Sequence, residues 1–152
     1  MQPYVNRLVG APFEPGTDPQ VTAQFSVQYS VACAILRKRL TVADIQPEAV
    51  LADDIGALAR SVVVNIDEAW GNSRGATVRI TTRSHGLLAR HVEHIPGSPE
   101  SPLTDADLQT KFRECSATGD APLGRARGEL LLARFSGIEN HADMADCFDG
   151  IL

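Results

Sequence analysis

Cysteine is scarce in this 152-residue chain: Cys33, Cys115 and Cys147 stand far apart, and no Cys-x-x-Cys occurs. That excludes a disulfide framework, and a zinc ribbon or iron–sulfur cluster held by this chain alone. The three thiols read as small apolar residues of the interior. Aromatics are equally thin at 5%, so a stacking platform for bases has little to build on. Basic residues are in deficit, 14 Lys+Arg against 19 Asp+Glu for a net charge of −5. A protein gripping phosphate backbones needs the opposite balance, so a nucleic-acid partner is not expected. No apolar run reaches the roughly 20 residues of a membrane span. The longest, Val27 to Leu36, contains Gln28, Tyr29 and Ser30 and stops at Arg37-Lys38-Arg39. Met1-Gln2-Pro3-Tyr4 lacks the basic start and apolar run of a secretory signal. Missing too are Gly-x-Gly-x-x-Gly, a Walker sequence and a Gly-x-Ser-x-Gly elbow. The expectation is a soluble cytoplasmic protein without a membrane partner.

What is present is the make-up of an ordinary globular domain, 43% hydrophobic and 22% charged, of a length suited to one domain. Residues 1–20 read as an irregular arm, because Pro3, Pro12, Pro15, Gly16 and Pro19 interrupt any helical pattern. Residues 21–152 read as a single α+β domain. Val21 to Leu40 has neither Gly nor Pro and is apolar on more than one face, which predicts a central helix closed by its basic last turn. Thr41 followed by Asp44 is a helix-start pair. Pro47-Glu48 opens a second helix through Arg60, with Val50, Ile55, Leu58 and Ala59 inward.

The period then changes. Val62 to Ile66 is short and β-branched, Thr77 to Thr81 alternates, and Leu87 to Ile95 follows the tight turn Ser84-His85-Gly86; Gly71 to Gly75 is a turn cluster. These predict a three-stranded antiparallel sheet with helices before and after it. Beyond a Pro-rich loop at 96–102, Thr104 caps a helix to about Cys115, with Leu108, Phe112 and Cys115 inward. Leu123 to Phe135 is a further helix, and Ile138 to Phe148 a weaker, acidic one.

The histidines do not assemble a metal site on paper. His91 and His94, three apart on a strand, point to opposite faces; His85 sits in a turn and His141 in a polar stretch. No metal ligand set is expected.

One resemblance reaches further. Tyr4-Val5-Asn6-Arg7, Pro12-Phe13-Glu14-Pro15-Gly16 and Ala23-Gln24-Phe25-Ser26-Val27-Gln28-Tyr29-Ser30-Val31-Ala32 resemble the MmgE/PrpD family. The run Pro96 to Leu108, with Lys111-Phe112-Arg113 after it, resembles that family's loop-and-helix signature near the C-terminus. The family includes 2-methylcitrate dehydratase, cis-aconitate decarboxylase and iminodisuccinate epimerase. The resemblance is to the smaller α+β, lid-type C-terminal domain. It implies a cofactor-independent lyase (dehydratase or decarboxylase) or isomerase of a small di- or tricarboxylic acid, in the first case a step of propionate metabolism.

In such enzymes a large helical domain carries much of the active site, so the resemblance also implies a chain incomplete as a catalyst by itself. A truncated reading frame, a deliberately short piece, and a stand-alone subunit pairing with a helical partner are all open. The alternative is a non-catalytic association module that dimerises through the surface where the helical domain would dock. A third option is a small-molecule binding protein that kept half a pocket.

The same resemblance places a functional tyrosine near Tyr29, a phenol suited to donating a proton or hydrogen bond at neutral pH. Ser26 and Gln24 are candidates to bind a substrate carboxylate at the helix start, and Arg7 to clamp one with its planar fork. Capping, packing and surface ion pairing account for the same residues without any substrate.

Overall fold

The computed structural model describes residues 1, 3–66, 75–119 and 121–151. The chain is α+β, with seven α-helices among the described residues and two compact units, Met1–Pro102 and Leu103–Leu152. The division falls inside the stretch expected to form one domain.

The first unit opens with α1, Pro3–Val9, so the expected arm of residues 1–20 holds a helix. Proline is tolerated in a helix's first turn, where its missing N–H has no acceptor to lose. The single central helix expected over Val21–Leu40 is instead two helices, α2 (Pro19–Gln24) and α3 (Val27–Arg37). The break is local chemistry. Asp18 caps α2 by accepting from the Val21 N–H at 3.1 Å, and Ser26 turns extended and accepts from the Tyr29 N–H at 3.1 Å to start α3 afresh. Satisfying orphan N–H groups at a new start offsets the helical bonds lost at Phe25 and Ser26. At the far end Lys38 adopts the left-handed conformation, φ 61°, and ends α3.

A 3₁₀ turn over Val42–Ile45 leads to α4 (Pro47–Val50) and α5 (Asp53–Ser61), where one helix was expected through Arg60. Phe13, Ala23, Tyr29, Ala32, Cys33, Val50, Ile55 and Ala59 form the core of this unit, with Leu58 partly buried against it. Of the four residues expected inward on the second helix, three are therefore in the core. The rings of Phe13 and Tyr29 meet at 5.2 Å between centroids, tilted by 36°, a favourable aromatic arrangement.

The sheet has two strands among the described residues, not three. β1 (Ala76–Thr82) pairs antiparallel with β2 (Gly86–Val92) in the register Thr77↔His91, Ile80↔Leu88, Thr82↔Gly86. Gly86, with φ 65°, supplies the left-handed step that closes the turn. Val62 to Ile66 pairs with no strand among the described residues, and Val63 is 79% exposed. Strand propensity expresses the fit of a side chain to a pleated, half-covered surface more than an intrinsic backbone preference. The turn cluster at 71–75 lies, save Gly75, outside the described residues.

The second unit is built on α6 (Asp105–Ser116) and α7 (Arg125–Phe135). Thr104 caps α6 through the Asp107 N–H, and Asp107 accepts in return from the Thr104 N–H at 2.9 Å. No residue of α6 is buried. Leu108 and Cys115 are exposed and Phe112 is half-buried although α7 packs on α6, which corrects the inward face expected of them. Leu131, Cys147 and Ile151 are buried, and Phe135 meets Phe148 edge-to-face at 5.6 Å. In place of a last helix there are two 3₁₀ turns, Ile138–Asn140 and Met144–Phe148, held by Arg134 Nη1 donating to the carbonyl of Asp149 at 2.7 Å.

Candidate functional site

The residues carrying chemistry in the first unit converge where α3 meets the 41–45 turn. Asp44 is 2% exposed, and its carboxylate is almost fully engaged. Oδ2 accepts from both the main-chain N–H and the hydroxyl of Thr41 at 2.8 Å, and Oδ1 accepts from Arg37 Nη1 at 3.1 Å. Arg39 Nε stands 3.8 Å from Oδ2. Burial pushes this carboxyl up. The Thr41 donors and the Arg37 guanidinium outweigh that and hold it below the usual carboxylate range. An ionised, compensated Asp44 therefore ties the end of α3 to the following turn.

Tyr29 projects into the same knot. It is wholly buried, and its hydroxyl donates to the main-chain carbonyl of Asp44. Burial, and then the Cys33 thiol bonded beside it, push the phenol pKa far up. Burial likewise raises the Cys33 thiol. Both groups stay protonated at neutral pH: the phenol is a donor whose hydrogen is already given to the backbone, and the thiol is no nucleophile.

Of the other sequence candidates, Ser26 is buried and Gln24 and Arg7 are exposed. Ser26 is buried as the cap of α3, and its hydroxyl also donates to Gln28 Oε1 at 3.2 Å. Gln28 Nε2 donates in turn to the Gly10 carbonyl at 2.8 Å, anchoring the chain just after α1. Gln24 is exposed at the end of α2. Arg7 is exposed on α1, its guanidinium 5.9 Å from the centroid of the Tyr4 ring; among the described residues it makes no ion pair. Ser26 and Tyr29 are thus joined by a direct bond, while no hydrogen bond joins Arg7 or Gln24 to them. Three residues escaped the sequence reading: Asp44, taken only as a helix-start acid; Arg37, taken as a helix-end charge; and Gln28. An arginine seven residues before the acid of a start pair was the available signal for the first two.

In the second unit a groove of about 500 Å³ runs between α6 and α7. Leu108, Phe112, Leu132 and Phe135 line it, and Asp105 is the charged residue among its walls. With a carboxylate and no cation, it opposes rather than invites a di- or tricarboxylate.

The histidines keep to local roles. His91 Nδ1 lies 3.0 Å from the Thr77 hydroxyl on the neighbouring strand, and His85 Nδ1 lies 2.8 Å from the Ser84 hydroxyl in the hairpin turn. His94 Nε2 is 4.0 Å from Glu93. Among the described residues no group of three or more His, Cys, Asp or Glu is placed to hold a metal ion. Among them also, no helix is long and apolar enough to cross a membrane.

A family model described as the MmgE/PrpD C-terminal domain matches residues 1–128. No curated protein matches the chain.

Proposed function

Because the chain belongs to the MmgE/PrpD family through its C-terminal domain, we propose that it forms the smaller wall of a site for a small di- or tricarboxylic acid. A helical polypeptide supplies the other wall and the proton-transferring groups. The chemistry of the completed site is lyase or isomerase chemistry, in which a proton or CO₂ leaves carbon beside a carboxylate or carbonyl. Negative charge then develops on the neighbouring oxygens, and catalysis needs a placed acid or base together with donors that hold the carboxylates.

The observation carrying this reading is the enclosure of the one phenol on α3. With Tyr29 bonded to the Asp44 carbonyl and Asp44 itself neutralised, no acid–base pair in this knot opens onto solvent. Arg7 and Gln24 are exposed and are the groups this chain can offer to substrate carboxylates. Ser26 and Tyr29 act from behind them, by setting the start and the packing of α3. The exposed apolar side chains Tyr4 and Leu8 on α1, and Val21 and Phe25 on α2 and at its end, support docking of the helical partner.

The test is turnover of 2-methylcitrate, cis-aconitate and related acids by the purified chain, alone and with a helical family domain added. No turnover alone and measurable turnover on mixing are expected. Robust turnover by the isolated chain overturns the reading.

A further inference from the structure

Arg7 sits in the last turn of α1, a helix none of whose residues is buried. Its guanidinium is exposed and makes no ion pair among the described residues, and its ring neighbour Tyr4 belongs to the same helix. The place of this charge is therefore set by whatever fixes α1 to the rest of the unit.

Two observations put the fixing point at Gly10, three residues beyond Arg7. The first is space. The Gly10 N–H bonds to the Asn6 carbonyl at 2.9 Å and closes α1. A Cβ at this position would lie 2.8 Å from that same carbonyl oxygen and would overlap the Asn6 side chain, so the exit from α1 has room for glycine alone. The second is a buried partner. Gln28, 4% exposed, donates from Nε2 to the Gly10 carbonyl at 2.8 Å. A carbonyl only accepts, so the amide N–H₂ faces Gly10 and Oε1 faces away. Oε1 accepts from the Ser26 hydroxyl at 3.2 Å, and the Ser26 oxygen accepts from the Tyr29 N–H at 3.1 Å. The line of bonds runs in one sense, from the first turn of α3 to the end of α1. Phe13, three residues further on, seats the following segment in the core.

We propose that Gln28 is a positioning residue for Arg7: through the Gly10 carbonyl it ties the end of α1 to the start of α3, and so fixes where the guanidinium meets a substrate carboxylate. The lever is short, since three residues of helix rise roughly 4.5 Å. The inference rests on the reading above in which Arg7 faces the substrate. A clamp displaced by about 1 Å is enough to lose much of its effect, and a clamp on a carboxylate away from the reacting carbon is felt in KM rather than in kcat.

Two variants loosen this mount from opposite sides. Gln28→Met keeps the length of the side chain and removes both polar atoms, whereas Gly10→Ala leaves Gln28 in place and forces the exit from Asn6. Amide hydrogen exchange of the full chain is the first measurement. In each variant the amides of residues 7–10 are expected to accelerate about tenfold more than those of α5, which report opening of the core. Equal acceleration in both places overturns the proposal, as do unchanged rates at 7–10 or a wild type already unprotected there. The second measurement is turnover of cis-aconitate and 2-methylcitrate by the chain mixed with a helical family domain. Each variant is expected to raise KM about tenfold with kcat within about twofold of wild type. Neither has a further effect once Arg7→Ala is present, because the group it acts through is gone. A fall in kcat at constant KM, or effects that add in the double variant, overturns the proposal. A wild-type mixture that turns nothing over overturns the carboxylic-acid reading itself, and hydrogen exchange still decides whether Gln28 holds α1.

Discussion

Replacing Asp44 by Asn removes one charge and little volume from the most constrained point of the first unit. The carboxylate accepts two bonds from Thr41 and one from Arg37, whose side chain is 29% exposed. Hydrogen bonds to an ionised group are worth roughly 1.5–3 kcal/mol each. Asparagine retains a carbonyl oxygen for one Thr41 donor but places an amide N–H₂ where the other acceptor was. Arg39, 67% exposed, is screened by water and adds little. The expected loss is about 2 kcal/mol at pH 7, or a fall in Tm of roughly 4–8 °C for a chain of this size. Urea unfolding followed by circular dichroism measures it.

The pH dependence makes the argument specific. The folded chain holds the Asp44 carboxyl below its ordinary value, so its contribution is complete above the unfolded value of about 3.9 and is lost as pH falls through the lower, folded one. The gap between wild type and Asp44→Asn must therefore be full at pH 7 and shrink steadily below about pH 4. A gap of the same size at pH 3, or none at pH 7, refutes the claim that an ionised carboxylate holds α3 to the turn.

Three further changes probe neighbouring claims. Ser26→Ala deletes the cap of α3 and the bond to Gln28 and should cost about 1 kcal/mol in urea unfolding; an unchanged midpoint would mean α3 starts without it. Tyr29→Phe leaves the Asp44 carbonyl without its buried donor and should cost about 1–2 kcal/mol, while any kcat gained on mixing the chain with a helical family domain should fall less than about tenfold. A loss of about a hundredfold or more in kcat with an intact melt is the mark of a general acid and would return Tyr29 to that role. Phe25→Asp alters a side chain 61% exposed, so stability should be unchanged and association with a helical partner weakened; equal association would remove this face from the docking surface.

Much of the helical layout was legible because its signals are short-range. Thr104 with Asp107 marks the start of α6, and Pro47 opens α4; Pro19, read as a breaker of the arm, instead opens α2. Val50, Ile55 and Ala59 fall inward by spacing alone. The failures have equally local causes. In 21–40 an unbroken apolar pattern outweighed a serine able to cap, although Ser26 followed by Tyr29 is the arrangement that breaks it. In 62–66 the β-branched run declared a preference that only a neighbouring strand can realise. Leu108 and Cys115 have helical spacing, but spacing says which side of α6 is apolar and not whether anything covers it.

The knot at Asp44 shows the deeper limit. Its partners Arg37 and Tyr29 lie 7 and 15 residues before it, and their meeting depends on the reversal at Lys38, a lysine in the left-handed region where glycine would have been the recognisable sign. Composition could nominate a tyrosine, an arginine and an acid, but only the path of the chain decides whether they face a substrate or one another. Here they face one another. Tyr29, the residue that looked catalytic, is bonded into this knot, while Arg7 and Gln24 are exposed.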